Sequence, residues 1–343
     1  MMVYPVGSDC INDFSPIVTL SSLDIPLLDK MPKQVAVAWS GGIDSTALVL
    51  LLRDAGFTVQ LWHVDHGWSE KSAAVATALA VQAKAWGLIF HLKCIHKATS
   101  NIEAEARRSR YQAFADLAKQ TGCRHVVLGH HAEDQAETVC MRLLQGAGVA
   151  GCQGMKKSRQ QQGITFWRPL LGLHKKNLKQ FLIYRQIEWH EDVSNQDVTL
   201  WRNKIRHQLF PAMETCQVEP CDLFLRWQQQ AEHIQSEIEQ LAQHVIVQRW
   251  CEGQTAVCAM NWQVWCEQLP PVRVCLLQKM VGMLFANGSV LGRRHIKAIE
   301  VWREQGGHGW LNLSGCCLYR HEQDLQLCQG KVSLRKRNMN SVA

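Results

Sequence analysis

The sequence has no long run of apolar residues. No stretch of its 343 residues approaches the roughly 18 uncharged apolar positions that a membrane-spanning helix needs. The N-terminus also lacks the basic region of a signal peptide, since the first lysine is Lys30. The sequence therefore predicts a cytoplasmic protein without a membrane partner.

Paired cysteine motifs are missing as well. The chain has fourteen cysteines but no Cys-x-x-Cys, and Cys216 and Cys221 are too widely spaced for a zinc knuckle. Without a signal peptide, a framework of disulfides is not expected either. We expect most of the cysteines to be small, buried apolar side chains.

Three familiar motifs of nucleotide-binding or nucleobase-modifying proteins are also absent. The only Gly-Lys pair, Gly330-Lys331, is followed by valine, so the chain has no Walker A loop. GAGVAG at 146–151 follows a predicted helix rather than a strand, which excludes a dinucleotide-binding turn. HAE at 131–133 matches half of a nucleobase-deaminase signature, but its Pro-Cys-x-x-Cys partner is missing.

What remains is the composition of an ordinary globular protein. Apolar residues make up 47% of the chain and charged residues 20%, which is enough for a well-formed core. The length predicts about two domains. The net charge of +7 permits a polyanionic partner without requiring one.

Strand and helix patterns alternate along the first part of the chain. Each predicted strand is a continuous apolar run, which is typical of a parallel sheet covered by helices on both faces. The sequence therefore predicts an α/β fold. The predicted strands are 34–39, 57–64, 88–95 and 125–129, and the helices are 46–55, 69–86, 101–120 and 133–145.

The second half of the chain has a different organisation. We predict a polar loop at 151–163, then a short strand and a helix within 164–190. A long amphipathic helix over 222–251 is followed by two helices, at 272–287 and 293–304, and a final pair of strands. The predicted domains are a catalytic domain over 1–215, a linker helix over 216–254, and a smaller α+β domain over 255–343 with a basic tail.

A glycine-rich loop joins the first predicted strand to the first helix. The two glycines would let the backbone wrap a phosphate, and the start of the helix would supply free N–H groups. A carboxylate beside a bound anion is explained if Asp44 holds Mg²⁺; the alternative is that it caps the helix. The predicted ATP-binding residues are Ser40, Gly41, Gly42, Ile43, Asp44 and Ser45.

The motif SGGIDS in this setting resembles the PP-loop of ATP pyrophosphatases. Four further motifs follow in order: HVDHG (63–67), NIEAEARRSRY (101–111), LGHHAEDQAETVCMRLLQGAG (128–148) and EDVSNQDVTLWRNKIRHQLFP (191–211). Together they resemble the tRNA(Ile)-lysidine synthase family over about residues 34–211, and more loosely to about 330. Two departures stand out: Glu133-Asp134 replaces a common Asp-Asp, and 145–148 lacks an arginine that the family often has.

The resemblance implies a parallel-sheet PP-loop domain and an ATP-dependent, Mg²⁺-dependent ligase. Members adenylate the wobble cytidine of the isoleucine tRNA with a CAU anticodon and release pyrophosphate. Free L-lysine then displaces AMP, leaving lysidine, so that the tRNA reads AUA instead of AUG. The smaller second domain is expected to bind the tRNA.

The resemblance also implies roles for individual residues. Asp44, Arg107, His131, Asp134 and Glu137 are the predicted catalytic residues, and the last three are predicted to hold lysine and accept its proton. The alternative for the two carboxylates is that they cap the fourth helix.

Basic residues in two motifs are predicted to contact tRNA. The alternative for the arginines at 107 and 110, which share a helix face, is a solvated basic surface. The alternative for the last motif is a helix that packs through Trp201 with its arginines in water. The predicted tRNA-binding residues are Arg110, Arg202, Asn203 and Arg206.

Two other functions stay open at this point. A PP-loop tRNA thiolase would need reactive cysteines or a cluster held by paired Cys-x-x-Cys motifs. A non-catalytic RNA-binding protein could keep the loop as an ATP sensor, but the retained Asp44, His131, Asp134 and Glu137 argue against that function. The sequence leaves the oligomeric state open, with a homodimer among the alternatives.

Overall fold

The computed structural model describes residues 25–65, 67, 72–95, 102–190, 201–252, 255–285, 291–313 and 315–330. Predictions for His66, for residues 191–200 and for the basic tail at 331–343 lie outside these ranges. The chain divides into two compact units, residues 1–231 and 232–343, and the division falls within one long helix. The domain limits predicted at 215 and 255 stay a prediction.

Unit 1 is built on a six-stranded sheet. The strand order is β3-β2-β1-β4-β6-β5, and all neighbouring strands are parallel except the antiparallel pair β5 and β6. The strands are β1 (Gln34–Ala38), β2 (Thr58–Asp65), β3 (Phe90–Cys94), β4 (His125–Val127), β5 (Ser158–Gln161) and β6 (Ile164–Trp167).

Helices connect these strands and cover the sheet. Those of unit 1 are α1 (Ile25–Leu28), α2 (Ile43–Asp54), α3 (Ser72–Ala85), α4 (Ile102–Thr121), α5 (Ala132–Leu144), α6 (Val149–Cys152), α7 (Lys175–Tyr184), α8 (Trp201–Lys204) and α9 (Phe210–Thr215), with a π-helical turn, Ile205–Leu209, between the last two. None of the described helices is both long and apolar enough to cross a bilayer.

The central strand β1 shows why this region folds as a covered parallel sheet. Val35, Ala36 and Val37 are all fully buried, so both faces of the strand are packed. The predicted α/β fold with helices on both faces is confirmed. Strand order reverses between β1 and β4, and in such sheets a crevice for ligands opens beyond the carboxyl ends of those strands.

The predicted loop at 151–163 is wrong in part. The structure places the end of α6 and all of β5 (Ser158–Gln161) within it. The side chains of β5 are polar and mostly exposed, so the strand has no apolar pattern to detect. It is an edge strand, and pairing of its backbone with β6 defines it instead.

Unit 2 contains a separate five-stranded antiparallel sheet. Its strand order is β7-β8-β11-β10-β9, and its core includes the buried Trp262, Trp265 and Trp302. The elements are the second part of α10 (Pro220–Gln243), β7 (Gln248–Glu252), β8 (Thr255–Asn261), α11 (Trp262–Glu267), α12 (Pro270–Leu284), α13 (Arg293–Glu304), β9 (Trp310–Leu313), β10 (Cys316–His321) and β11 (Asp324–Gln329).

Two predictions for this part of the chain are corrected. The helix predicted over 222–251 ends at Gln243, and residues 248–252 form β7, which pairs with β8. The final pair of strands is a set of three, β9, β10 and β11, because Gly315 lies in a turn between two strands that the apolar pattern had joined. The prediction of a long helix followed by a smaller α+β domain is confirmed.

Candidate active site

Hydrogen bonds between a side-chain hydroxyl and the backbone stabilise the loop between β1 and α2. The backbone N–H of Ser40 donates to Oγ of Ser45 at 3.2 Å, and that hydroxyl donates to the carbonyl of Gly42, also at 3.2 Å. Gly42 is the N-cap of α2 and has no side chain to cap the helix. The positive end of α2 therefore faces the loop, which is a suitable arrangement for binding an anion.

Gly41 occupies the most crowded point of this loop. Its φ is +79°, and a Cβ placed there would lie 2.5 Å from Cδ2 of Leu79 and 3.1 Å from Cδ2 of His190. The backbone N–H of His190 also donates to the Gly41 carbonyl at 2.9 Å. The loop therefore needs glycine both for its backbone conformation and for space.

Asp44, in the first turn of α2, holds an incompletely satisfied carboxylate. Its Oδ1 is buried and has no hydrogen-bond partner among the described residues. Its Oδ2 lies 3.7 Å from Nε2 of His131 and 3.9 Å from Nζ of Lys175. Burial raises the pKa of Asp44, and the two nearby cations offset this only in part. An unpaired buried oxygen beside an anion-binding loop suits a metal ligand better than a helix cap.

His131 follows β4 and contacts Asp44, which follows the neighbouring strand β1. It precedes α5, which follows β4, and its side chain is 4% exposed. Nδ1 donates to Oε2 of Glu133 at 2.8 Å, so Nε2 faces Oδ2 of Asp134 at 3.4 Å and the carboxylate of Asp44. Burial lowers the pKa of His131, but the three carboxylates outweigh it and the pKa is raised.

Glu133 ties the start of α5 to the start of α7. The backbone N–H of Lys175 donates to both of its oxygens, at 3.2 and 3.0 Å, and Nδ1 of His174 lies 3.2 Å from Oε1. Burial raises the pKa of Glu133, but the hydrogen bonds and the charge of His131 lower it to about 2. Glu133 is therefore ionised and fixes the orientation of the His131 ring.

Glu137 and Asp134 meet two arginines from the last motif. Glu137 is 1% exposed and receives Nε of Arg202 at 2.7 Å and Nε of Arg206 at 2.6 Å. Asp134 accepts the backbone N–H of His131 at 3.1 Å and lies 3.5 Å from Nη2 of Arg206. Asp134 therefore does cap α5, whereas the described contacts of Glu137 are with guanidinium groups. We call these four residues, Asp134, Glu137, Arg202 and Arg206, the mixed-charge cluster.

Comparison with known families agrees with this geometry. A family model described as a PP-loop domain matches residues 19–213, which is more than half of the chain. The chain belongs to the PP-loop family. Its PP-loop is the segment between β1 and α2.

Curated relatives match a similar length of the chain. It is 38% identical over 207 residues to the tRNA(Ile)-lysidine synthase of Chlamydia muridarum, covering 59% of this chain and 63% of that protein. It is 36% identical over 214 residues to the tRNA(Ile)-lysidine synthase of Nostoc sp., covering 61% and 62%. The chain thus spans a little over three fifths of the length of these relatives.

Solved structures give a more distant likeness. The U34-tRNA thiolase NcsA from Methanococcus maripaludis, solved with its [4Fe-4S] cluster, is 15% identical, with 58% of this chain and 72% of that chain covered and a TM-score of 0.47. This likeness is too distant to bear on function.

The PP-loop makes a direct prediction for Gly41→Ala. We expect it to lower the free energy of unfolding by about 2–4 kcal/mol, since it adds a strained φ to overpacking against the fully buried Leu79. The matched control is Gly56→Ala, which has a φ of +74° but nothing within 4 Å of the added Cβ, and it should lose only about 1 kcal/mol. Urea denaturation measures both. Equal losses would show that crowding in the PP-loop is unimportant.

The other predicted site residues are placed less centrally. Arg107 and Arg110 lie on α4 and are exposed, and the guanidinium of Arg107 sits 5.2 Å from the ring centroid of Tyr111. Asn203 is 7% exposed. Trp201 is 49% exposed, so α8 does not pack through it as one alternative supposed. The proposed RNA contacts of these residues stay predictions.

Sequence reasoning missed the part of the site contributed by α7. Lys175 brings a cation to Asp44, and His174 brings an imidazole to Glu133. Arg168 was also missed: it is 4% exposed and donates through Nε to Nδ1 of His130 at 3.2 Å. Burial lowers the pKa of His130 to about 3, so this ring is neutral. The run HKKN at 174–177, at the start of a predicted helix, was the one available signal.

Proposed function

We propose that this protein is an ATP-dependent ligase that joins free L-lysine to the wobble cytidine of the CAU-anticodon isoleucine tRNA. One observation carries the proposal: Asp44 of the PP-loop and His131, beside the mixed-charge cluster, lie 3.7 Å apart between neighbouring strand ends. A nucleotide-binding loop and a site suited to an amino acid thus share one crevice. The names of the curated relatives support the same function.

The PP-loop side of the crevice suits ATP and Mg²⁺. The N-terminus of α2 and the hydroxyls of Ser40 and Ser45 would bind phosphate oxygens. The buried, unpartnered Oδ1 of Asp44 fits a hard divalent cation, which prefers oxygen ligands. When bound, Mg²⁺ would neutralise charge on the phosphates as AMP is transferred and pyrophosphate leaves. Lys175 adds a second positive charge beside Asp44.

The mixed-charge cluster suits a zwitterion. Free lysine carries two ammonium groups and one carboxylate, and the cluster offers two carboxylates and two guanidinium groups. The side chain of Asp134 is 15% exposed, whereas that of Glu137 is 1% exposed and both of its oxygens receive arginine. We therefore propose that Asp134 faces lysine and that Glu137 holds Arg202 and Arg206 in position behind it.

The second half-reaction needs a neutral ε-amine. The lysine ammonium must lose a proton before its nitrogen attacks the adenylated cytidine and displaces AMP. In its neutral form His131 is placed to accept that proton at Nε2, because Glu133 holds Nδ1 as a hydrogen-bond donor. The tRNA would approach over exposed Arg107, Arg110 and Trp201, and the buried Asn203 is left out of this surface.

One incubation tests the proposal. Purified protein is mixed with ATP, Mg²⁺, radiolabelled lysine and isoleucine tRNA transcripts, and label in the tRNA is counted. The matched control is a transcript with guanosine at the wobble position, which should take up no label. No label in the cytidine transcript, in spite of intact protein and bound ATP, would overturn the proposal.

The thiolase alternative makes a contrary prediction for the cysteines. Cys94, Cys216 and Cys251 are free and exposed. We expect serine at any one of these three to leave lysine incorporation within about twofold, since surface substitutions change little and the reaction uses no thiolate. The same assay with labelled lysine measures this. A folded variant that loses all activity, together with sulfur found in the tRNA, would favour the thiolase.

A further inference from the structure

Unit 1 contains a group of metal-ligating side chains, two of which, His174 and Cys221, have no role in the proposed ligase. Glu133, His174 and Cys221 each present one ligand atom, and these three atoms lie within 4.8 Å of one another. They come from the starts of three different helices, α5, α7 and α10. All three side chains are partly exposed, so an ion from solvent could reach them.

The distances between the ligand atoms fit a tetrahedral ion. Nδ1 of His174 lies 3.2 Å from Oε1 of Glu133 and 3.8 Å from Sγ of Cys221. A tetrahedral zinc ion with ordinary bond lengths would place such N···O and N···S pairs about 3.4 and about 3.6 Å apart. These two pairs of ligand atoms are therefore already at nearly the required spacing without an ion.

A fourth residue, Asp222, contacts the other ring nitrogen of His174. Oδ1 of Asp222 lies 3.7 Å from Nε2 of His174, on the opposite side of the ring from the cluster. A carboxylate there favours a proton on Nε2 and leaves Nδ1 free to bind a metal, as in carboxylate–histidine–zinc arrangements. This contact is independent of the three ligand atoms and points to the same use of the ring.

We propose that Glu133, His174 and Cys221 bind one Zn²⁺ ion, with water as the fourth ligand and Asp222 orienting His174. Thiolate and imidazole ligands favour zinc over Mg²⁺ or Ca²⁺, so this site is chemically distinct from the magnesium site at Asp44. Bound zinc would join the starts of α5, α7 and α10.

Cobalt is the probe for the experiment, because Co²⁺ takes the same ligands and a thiolate bound to it absorbs in the near ultraviolet. Chelator-treated full-length protein is titrated with Co²⁺, and Zn²⁺ is then added. We expect one equivalent of Co²⁺ per chain with a thiolate band, and loss of the band as Zn²⁺ replaces it. Zinc should also raise the melting temperature by mass action.

Graded variants locate the site. Cys221→Ser should abolish the thiolate band, and His174→Ser, which keeps a residue able to cap α7, should weaken Co²⁺ binding at least about a hundredfold. Asp222→Asn should weaken it about tenfold. Cys216→Ser, an exposed cysteine in the same region, is the matched control and should bind like the wild type.

Metal-free melting curves of all four variants check that they fold. No thiolate band in the wild type, or a band that persists in Cys221→Ser, would overturn the proposal. So would equal Co²⁺ affinity in His174→Ser and the wild type. These measurements use neither ATP nor tRNA, so their failure would leave the ligase proposal untouched, and failure of the ligase assay would leave the zinc site untouched.

Discussion

Replacing Asp44 with asparagine is expected to abolish ATP-dependent release of pyrophosphate while leaving the protein folded. Losing one group that stabilises charge developing in a transition state typically costs about a hundredfold to a thousandfold in rate. Asp44→Asn removes the negative charge that would hold Mg²⁺ beside the phosphates, at nearly constant size. Pyrophosphate release is measured with ATP, Mg²⁺ and tRNA but without lysine, so that only the first half-reaction is followed.

The same substitution should not destabilise the protein. Oδ1 of Asp44 is buried without a hydrogen-bond partner among the described residues, and burial raises its pKa, so the carboxylate is held at a cost in stability. We expect an unchanged or slightly higher melting temperature for Asp44→Asn. Active sites commonly keep groups that lower the stability of the folded protein, because activity requires them.

A control on the same helix distinguishes the loss of activity in Asp44→Asn from a general effect of removing one negative charge. Asp54 lies in the last turn of α2 and pairs with Arg185, away from the PP-loop. Asp54→Asn should keep full pyrophosphate release. If Asp44→Asn retained its activity and melted at a lower temperature, the carboxylate would be a helix cap rather than a metal ligand.

Most of unit 1 was predictable because its signals are local. A run such as QVAVA at 34–38 is apolar at nearly every position, which already requires a strand covered on both faces. β5 carried no such signal, because its polar residues are selected by pairing with β6 rather than by burial. β7 was hidden for a related reason: Trp250 and Cys251 continue the apolar pattern of α10, and only pairing with β8 shows that they form a strand.

The candidate site was predictable as separate motifs but not as one arrangement. The PP-loop and the HHAED segment each have recognisable residue types, and the order of strands in the sheet brings them together. Besides His131, Glu133 has partners 41 and 42 residues away, at the start of α7, and the partners of Glu137 are 65 and 69 residues away. The family resemblance assigned Glu137 to lysine and Arg202 to tRNA, whereas the fold pairs them with each other.

That pairing leads to the prediction for Glu137→Gln. The amide can accept hydrogen bonds but cannot balance two guanidinium charges. Breaking a buried ion pair costs about 3–5 kcal/mol. The side chains of Arg202 and Arg206 are 28% and 30% exposed, so we expect solvent to reduce the loss to about 2 kcal/mol. Urea denaturation of the variant and the wild type measures this loss.

Unit 2 contains a matched control for this loss. Glu300 also receives two arginines, with Nη2 of Arg273 at 2.8 Å and Nε of Arg303 at 2.8 Å. Glu300→Gln should therefore also lower stability, though by less than Glu137→Gln, because the Glu300 side chain is 25% exposed. It should leave the dependence on lysine unchanged, because its arginines belong to unit 2 and the mixed-charge cluster to unit 1.

The decisive readout for Glu137→Gln is the lysine requirement. If Glu137 positions the two arginines beside Asp134, the variant should need at least about tenfold more lysine, which corresponds to about 1.4 kcal/mol. Asp134→Asn should raise the requirement at least as much. ATP binding, which depends on the PP-loop, should change far less, and adenylated tRNA should accumulate because its formation does not use lysine. Steady-state kinetics against lysine test these statements. An unaltered lysine requirement in both Glu137→Gln and Asp134→Asn, with the expected loss of stability, would make the mixed-charge cluster purely structural and place lysine elsewhere.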